Sequence, residues 1–215
     1  MHAIEKEGLP PFIDGSIRRE PDFEHPRPVI TCLCRADRFA PRLCPGDCVA
    51  YLTVKGRYGS RQSHRRLVSV LAVERLFDLH EHAAAWFDSH GLALLNNLIV
   101  KGNPPKPLNQ SHKRNEHKAL PDDEWQRRWD LGYHARARAH GRVVGCSVVF
   151  VDTSWASPVV SDTVLESVFG HIPGTRNPGR NCLSSLHLLM ERLGLHEPPP
   201  AWRTPPTARD AGLGL

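Results

Sequence analysis

The fold class is decided by residues 45–54, which read PGDCVAYLTV, and by residues 66–73, which read RLVSVLAV. Proline, glycine and aspartate at residues 45–47 are typical of a tight turn, and the residues after them are apolar and β-branched, as strands require. The stretch at residues 66–73 has a similar composition and follows a polar, glycine-bearing loop. Together the two stretches predict a pair of antiparallel strands.

Further strands and helices are predicted on both sides of this pair. Strands are predicted at residues 29–34, 48–54, 66–73, 94–100 and 143–151. Helices are predicted at residues 78–90, 122–140, 162–169 and 181–193. The first three strands are joined by short or medium loops and are expected to form an antiparallel meander. Strands that precede helices, with one strand returning later, predict an α+β fold with a small, curved, mostly antiparallel sheet or barrel flanked by helices.

The length of 215 residues suits one domain with appendages. Hydrophobic residues make up 40% of the chain, enough to bury a core, which excludes wholesale disorder. Residues 1–28 are rich in proline and charge and are expected to form an N-terminal arm. Residues 29–195 are expected to form a single domain, and residues 196–215 a proline-rich tail.

The cell compartment is inferred from what the first residues and the apolar runs lack. No apolar run approaches the roughly 20 residues that a membrane-spanning helix requires. The first residues, MHAIEKEGLPPFIDG, do not show the basic-then-apolar order of a signal peptide. We therefore expect a cytoplasmic protein with no membrane partner, and the sequence leaves its oligomeric state open.

Four of the six cysteines lie close together and are the candidate metal ligands: Cys32, Cys34, Cys44 and Cys48. Clustered thiolates bind zinc tetrahedrally, which keeps a zinc site as one interpretation. Structural zinc sites, however, usually space two cysteines by two to four residues on a turn, and Cys-x-Cys in a strand places both side chains on one face. The favoured interpretation is small buried apolar side chains in strands, with no metal and no other cofactor.

Enzyme motifs are mostly missing. The sequence holds no Gly-x-x-x-x-Gly-Lys-Ser/Thr loop, no Gly-x-Gly-x-x-Gly after a strand and no Gly-x-Ser-x-Gly elbow. His80 and His82 are two residues apart on a predicted helix, so they point to different sides and are expected to face solvent. Trp125 and Trp129, four residues apart, share a helix face and are expected to pack in the core.

The loop after the second strand is the first candidate binding site. The formal net charge of the chain is only +5, from 28 basic and 23 acidic residues. Five basic residues nevertheless lie within this loop, interleaved with Tyr58 and His64: Lys55, Arg57, Arg61, Arg65 and Arg66. Guanidinium groups bind phosphate bidentately and aromatic rings stack on bases, so the mixture suits a nucleotide or a single strand. A solvated basic hairpin tip is the competing interpretation.

The second candidate site follows the predicted strand at residues 143–151. Asp152 and Trp155 stand just past its end, where side chains often line the mouth of a pocket. An indole offers a flat wall for stacking, and the carboxylate of Asp152 or the amide of Asn103 would hydrogen-bond the edge of a base. The competing interpretation is that Trp155 packs over the end of the sheet.

Two segments show a family resemblance. Residues 43–51, LCPGDCVAY, resemble the segment "leucine, x, proline or lysine, Gly-Asp, x, apolar, x, aromatic" of PUA-like domains, the superfamily that includes the EVE, ASCH and YTH groups. Residues 167–173, SVFGHIP, look like a segment of nucleotide-modification-associated domains. The resemblance covers residues 29–173. It implies a small β-barrel flanked by helices that binds RNA or modified bases in a pocket, without a metal or redox cofactor. Tyr58 and Trp155 are candidates for stacking on the base because of the chemistry of their rings, not because of an alignment with the family.

These observations lead to one preferred function and two alternatives. The preferred hypothesis is a non-catalytic module that binds nucleic acid, RNA or DNA, or a nucleotide, with a modified base as one ligand. Arg57, Arg61 and Arg65 would position phosphate, and Tyr58 or Trp155 would stack on the base. The first alternative is a small nucleotide- or nucleic-acid-processing enzyme, with zinc as a conceivable cofactor, whose acid–base groups are His64, Asp47 or Asp152. The second is an interaction protein that docks through residues 198–202, PPPAW.

Overall fold

The computed structural model of this chain describes residues 21–33, 39–58, 60–104, 120–174 and 183–195. The strands in these ranges are β1 (Val29–Thr31), β2 (Cys48–Leu52), β3 (Arg65–Phe77), β4 (Val143–Val151) and β5 (Val159–Val160). The α-helices in these ranges are α1 (His80–Ser89), α2 (Asp122–Ala139), α3 (Asp162–Phe169) and α4 (Leu183–Arg192). The predicted α+β class is confirmed. None of the helices in the described ranges is both long and apolar enough to cross a membrane.

The strands form one antiparallel sheet in the order β1-β4-β3-β2, and the short β5 also pairs with β3. The predicted β2–β3 hairpin is confirmed, but the predicted meander is wrong at its first step, because β1 pairs with β4. The register between β3 and β4 shifts after Val70 and again after Val73, and the β2–β3 register shifts after Tyr51. Bulges of this kind increase strand twist, so the sheet curls into a half-barrel, in line with the predicted curved sheet.

Both faces of the sheet are buried. Neighbouring residues of β3 point to opposite faces, so Val68 packs with Val49 and Val144 on one side while Leu67 packs on the other. On that second side α3 and α4 cover the sheet through Leu165, Val168, Leu186, Leu189 and Met190. The first side also receives Phe23, 4% exposed, whose ring lies edge-on to that of Tyr51 at 5.0 Å. The end of the predicted N-terminal arm thus packs on the domain, while residues 1–20 and the predicted tail at 196–215 lie outside the described residues.

The strand predicted at residues 94–100 is wrong. This segment is a buried turn, closed by a 3.0 Å hydrogen bond from the Leu98 amide to the Leu95 carbonyl. The side chain of Asn97 donates to the Val29 carbonyl at 2.9 Å, which ties the turn to the first strand. A short apolar run predicts burial but not its backbone conformation, and here Leu95 and Leu98 are buried by a turn beside α1.

The prediction that His80 faces solvent is also wrong. His80 begins α1 and is 1% exposed, and its Nδ1 accepts a 3.1 Å hydrogen bond from the Ile99 amide. The Ile99 N–H group of the buried turn points into the protein interior, where it needs a hydrogen-bond acceptor. The imidazole of His80 supplies that acceptor and is buried for this reason. His82 is exposed, as predicted.

The two tryptophans of α2 pack inward, which confirms their predicted place in the core. Trp125 is 2% exposed. Trp129 is half-buried, and its ring centroid lies 5.8 Å from that of Tyr133, in a cluster with Leu33 and Ile99.

Candidate functional site

The hairpin that joins β2 to β3 continues past both strands. The Thr53 amide donates to the Arg66 carbonyl at 3.0 Å, and the Arg66 amide donates to Thr53 Oγ1 at 2.9 Å. Two further bonds, of 2.8 and 2.9 Å, join the backbones of Gly56 and His64. The predicted basic loop is therefore a protruding hairpin, whose tip in the described ranges is residues 57–58 and 60–63. We call this segment the hairpin tip.

Tyr58 turns back from the hairpin tip into the protein. Its φ of 42° lies in the left-handed region that tyrosine rarely adopts, and its side chain is only 5% exposed. The hydroxyl donates to the Val54 carbonyl, and the ring centroid lies 5.5 Å from that of His64. The structure thus places the Tyr58 ring as internal support for the hairpin tip rather than as an open stacking surface.

Residues 153–157 form an excursion between β4 and β5, and we call this segment the Trp155 loop. The loop begins where the Asp152 amide donates to the Val68 carbonyl at 2.9 Å. It ends where the Leu67 amide donates to the Pro158 carbonyl, also at 2.9 Å. Because Leu67 and Val68 are adjacent in β3, the chain leaves and rejoins the sheet at one point. The loop therefore projects beside the neighbouring hairpin.

Trp155 meets Tyr58 at this junction. The two ring centroids are 6.2 Å apart with planes inclined by 54°, and Trp155 is half-buried, so part of the indole faces solvent. Asp152 fixes the loop, because its Oδ1 accepts hydrogen bonds from the Ser154 amide at 2.9 Å and the Ser154 hydroxyl at 2.6 Å. The structure thus brings together Tyr58, His64 and Trp155, which the sequence separates into two candidate sites.

Three of the five basic residues are held by internal partners. Lys55 Nζ and Arg65 Nη1 each contact one carboxylate oxygen of Asp162, the first residue of α3. The hydrogen bond from Lys55, with that from Arg65, lowers the pKa of the Asp162 carboxyl from its ordinary value. Arg66 Nη1 donates to the Ser157 carbonyl at 2.5 Å and so helps to close the Trp155 loop.

The remaining two arginines have no acidic partner within the part of the chain that the structure describes. Arg57 and Arg61 are exposed and form no ion pair with any residue in the described ranges. Both lie on the hairpin tip, next to the Trp155 loop. The unpaired positive charge of the predicted patch is therefore concentrated at these two positions, a narrower site than the sequence indicates.

Asn103 is not brought to the other candidate residues. Its Nδ2 donates to the carbonyls of Leu95 and Leu98, at 2.8 and 2.7 Å, and so closes the buried turn. That turn packs against Val143, the first residue of β4, whereas the Trp155 loop follows the last residue of the same strand. Nine residues of strand span about 30 Å, so Asn103 lies at the far end of the sheet.

The cysteines serve mainly as small apolar side chains in the described ranges. Cys32 is buried on one face of the sheet and Cys48 packs on the other, and Cys44 is exposed. Cys34, the fourth candidate ligand, lies outside the described residues. Burial raises the pKa of the Cys32 thiol and, with the nearby Asp47, raises that of Cys48 to about 11. Within the described ranges no three His, Cys, Asp or Glu side chains are grouped to hold a metal ion.

The acid–base groups considered for an enzyme do not converge. Asp47 Oδ2 accepts a 2.8 Å hydrogen bond from the Cys44 amide, and the Asp47 carbonyl accepts one from the Val73 amide. The Asp152 amide is hydrogen-bonded to Val68, which lies five residues before Val73 in β3. Five residues of a strand span about 17 Å, so Asp152 lies far from Asp47. His64 lies beyond Asp152 in the same direction, with Nδ1 3.0 Å from the Gln62 carbonyl. The three groups therefore do not share one reaction centre.

Comparison of the chain with protein-family models, with curated proteins and with solved structures gives no match. The resemblance to PUA-like domains stays a prediction for this reason. The function of this chain has to be inferred from its own residues.

Sequence reasoning missed Asp162 and Ser157 as members of this site. Asp162 is predicted as the start of a helix, which is correct, and Ser161 caps that helix by accepting from the Val164 amide at 3.2 Å. Nothing local indicates that its carboxylate binds Lys55, which is 107 residues away. Ser157 contributes only its backbone carbonyl to Arg66, and a backbone contact leaves no signal in residue type.

Proposed function

We propose that this chain is a non-catalytic module that binds nucleic acid or a nucleotide with its hairpin tip and Trp155 loop. The observation that carries the proposal is the half-buried indole of Trp155 against Tyr58 of the hairpin tip, which also carries Arg57 and Arg61, two exposed arginines that no described acidic residue neutralises. Arginine pairs with phosphate bidentately, and an indole accepts any base because every base has a π-face. The site therefore combines the two contacts that a flexible strand needs.

Each residue has a distinct role in this proposal. Arg57 and Arg61 bind phosphates, and the exposed part of Trp155 stacks on a base. Asp152 Oδ2, the carboxylate oxygen that Ser154 does not use, accepts a hydrogen bond from an exocyclic amine, including that of a modified base. Tyr58 packs against Trp155 and His64 packs against Tyr58, and neither of these two buried rings touches the ligand.

The test is fluorescence anisotropy with a labelled, mixed-sequence single strand, of DNA and of RNA, between 50 and 200 mM salt. The key variant is the double substitution Arg57→Ala with Arg61→Ala. Its matched control is Lys101→Ala with Arg138→Ala, which removes two exposed charges that belong to neither the hairpin tip nor the Trp155 loop. Removing two phosphate contacts should reduce the slope of log K against log salt by about 1.4 for a single strand.

Three outcomes decide the proposal. A less steep slope of log K against log salt in the Arg57→Ala, Arg61→Ala variant, with an unchanged slope in the control variant, supports the proposal. An equal loss in both variants means that binding follows net charge alone and contradicts the site. Failure of the wild-type chain to bind either single strand or a nucleoside monophosphate at 50 mM salt overturns the function itself.

A further inference from the structure

We propose that Asp162 is an internal competitor for ligand phosphate, which holds Lys55 and Arg65 in an autoinhibited state. This inference rests on the proposed function, because the two cations belong to the same hairpin as Arg57 and Arg61. With the carboxylate in place, the hairpin offers two free cations to a ligand. With the carboxylate neutralised or displaced, it offers four.

The geometry of the ion pairs imitates a phosphate contact. Lys55 Nζ binds Oδ2 of Asp162 and Arg65 Nη1 binds Oδ1, so two cations converge on two oxygens of one anion. Two oxygens of a phosphate group present the same acceptors to the same donors. The side chains of Lys55 and Asp162 are 44% and 29% exposed, so a phosphate in solution can reach the pair from the Lys55 side.

The carboxylate cannot move far from the cations. Val160 pairs with Arg65 in the sheet, and Asp162 follows two residues later at the start of α3. The α3 N-terminus itself favours a negative charge at this position. A ligand phosphate that takes Lys55 or Arg65 therefore has to approach a carboxylate that stays beside it. Electrostatic repulsion by this carboxylate therefore opposes the binding of ligand phosphate to Lys55 and Arg65, and the β5–α3 junction keeps the carboxylate in place.

The experiment compares wild type with Asp162→Asn and with Glu166→Gln, using a labelled single-stranded oligonucleotide between 50 and 200 mM salt. Glu166 is an exposed carboxylate on the same helix with no ion pair among the described residues, so its variant makes the same change in net charge. We expect Asp162→Asn to bind at least about threefold more tightly at 50 mM salt and to steepen the salt slope by up to about 1.4, since two cations are released. Glu166→Gln should leave the slope unchanged.

Lys55→Ala provides a second readout that does not depend on the Asn variant. In wild type Lys55 is engaged by Asp162, so its removal should leave the salt slope unchanged. Added to Asp162→Asn, it should remove about 0.7 of the slope, one phosphate contact. A loss of about 0.7 from wild type would mean that Lys55 already binds the ligand, which overturns the inference.

The two proposals fail in different ways. If wild type binds but Asp162→Asn binds with the same affinity and slope, or more weakly while folded by circular dichroism, the competition is refuted and the binding function stands. If wild type binds neither a single strand nor a nucleoside monophosphate at 50 mM salt, the proposed function fails, and the inference fails with it.

Discussion

The ring centroid of Tyr58 lies 6.2 Å from that of Trp155, and this contact joins the hairpin tip to the Trp155 loop. Tyr58 is buried and Trp155 is partly exposed, so Tyr58 is the supporting ring and Trp155 the supported one. Tyr58 is anchored by its hydroxyl on the Val54 carbonyl and holds Trp155 at the surface. A buried ring that positions an exposed one leaves the exposed ring oriented before any ligand arrives, which lowers the entropy lost on binding.

Substitutions at Tyr58 should separate support from ligand contact. Tyr58→Phe removes the hydroxyl and leaves the Val54 carbonyl without this donor, which should cost about 1 kcal/mol of unfolding free energy. Because the ring still supports Trp155, binding of the single strand should stay within about twofold of wild type. Urea denaturation and anisotropy measure the two effects. Loss of binding at unchanged stability would show that the hydroxyl contacts the ligand directly.

Substitutions at Trp155 should follow ring character rather than size. Trp155→Phe keeps a flat ring, while Trp155→Leu keeps an apolar side chain that cannot stack. The leucine variant should lose about 1–3 kcal/mol of binding free energy, the usual worth of one stacked base, and the phenylalanine variant less. The salt slope should be the same in all three proteins, because the indole contacts no phosphate. Equal binding by the leucine and phenylalanine variants would argue against stacking.

The buried imidazole of His80 should stabilise the fold, whereas the exposed imidazole of His82 on the same helix should not. His80→Leu leaves the Ile99 amide without its acceptor in the core, which should cost about 1–3 kcal/mol of unfolding free energy. The exposed His82→Leu should change stability by less than about 0.5 kcal/mol. Urea denaturation of the two variants beside wild type is the measurement. Equal stability of both would mean that Ile99 finds another partner.

The sequence predicts the long elements well because their residue patterns are strong. The strand expected at residues 143–151 coincides with β4, and the helix expected at 122–140 differs from α2 by one residue. β3 begins one residue early and extends to Phe77, since residues 75–77 continue the pairing with β4. β5, with two residues, is too short to produce a periodic signal, and it forms only because the Trp155 loop returns the chain to β3.

The candidate site is only partly predictable, because the sequence reports composition and the structure decides pairing. The clustering of cations in the hairpin is visible in the sequence, but their neutralisation by Asp162 is a contact across more than ninety residues. Asn103 has the right chemistry to read a base, but it is used to close a buried turn. Both differences arise from long-range hydrogen bonds that no local pattern encodes.

The ion pairs of Asp162 should make stability depend on pH in acid. Lys55 and Arg65 lower the pKa of this carboxyl in the folded protein, so the ionised form stabilises the fold above the ordinary pKa of aspartate. This stabilisation is lost as the pH falls through the lowered value. Wild type should therefore exceed Asp162→Asn in unfolding free energy at pH 7, and the difference should shrink below about pH 4. Urea titrations at several pH values test this, with Glu166→Gln as the reference. A difference that stays constant down to pH 2 would contradict the pairing.

The described cysteines should differ widely in their reaction with iodoacetamide. The thiolate is the reactive form, and Cys48, with a pKa raised to about 11 by burial and by Asp47, holds under about one thiolate in a thousand at pH 7.5. Burial and the charge of Glu74 raise the pKa of Cys146 as well, while Cys44 is exposed. Peptide mass spectrometry of the native protein should find Cys44 labelled well before Cys48 and Cys146. In denaturant the three rates should converge, because unfolding removes the burial that separates them. Labelling of Cys146 as fast as Cys44 in the native protein would show that the core opens around it, since the Cys146 side chain is 2% exposed in the cluster on one face of the sheet.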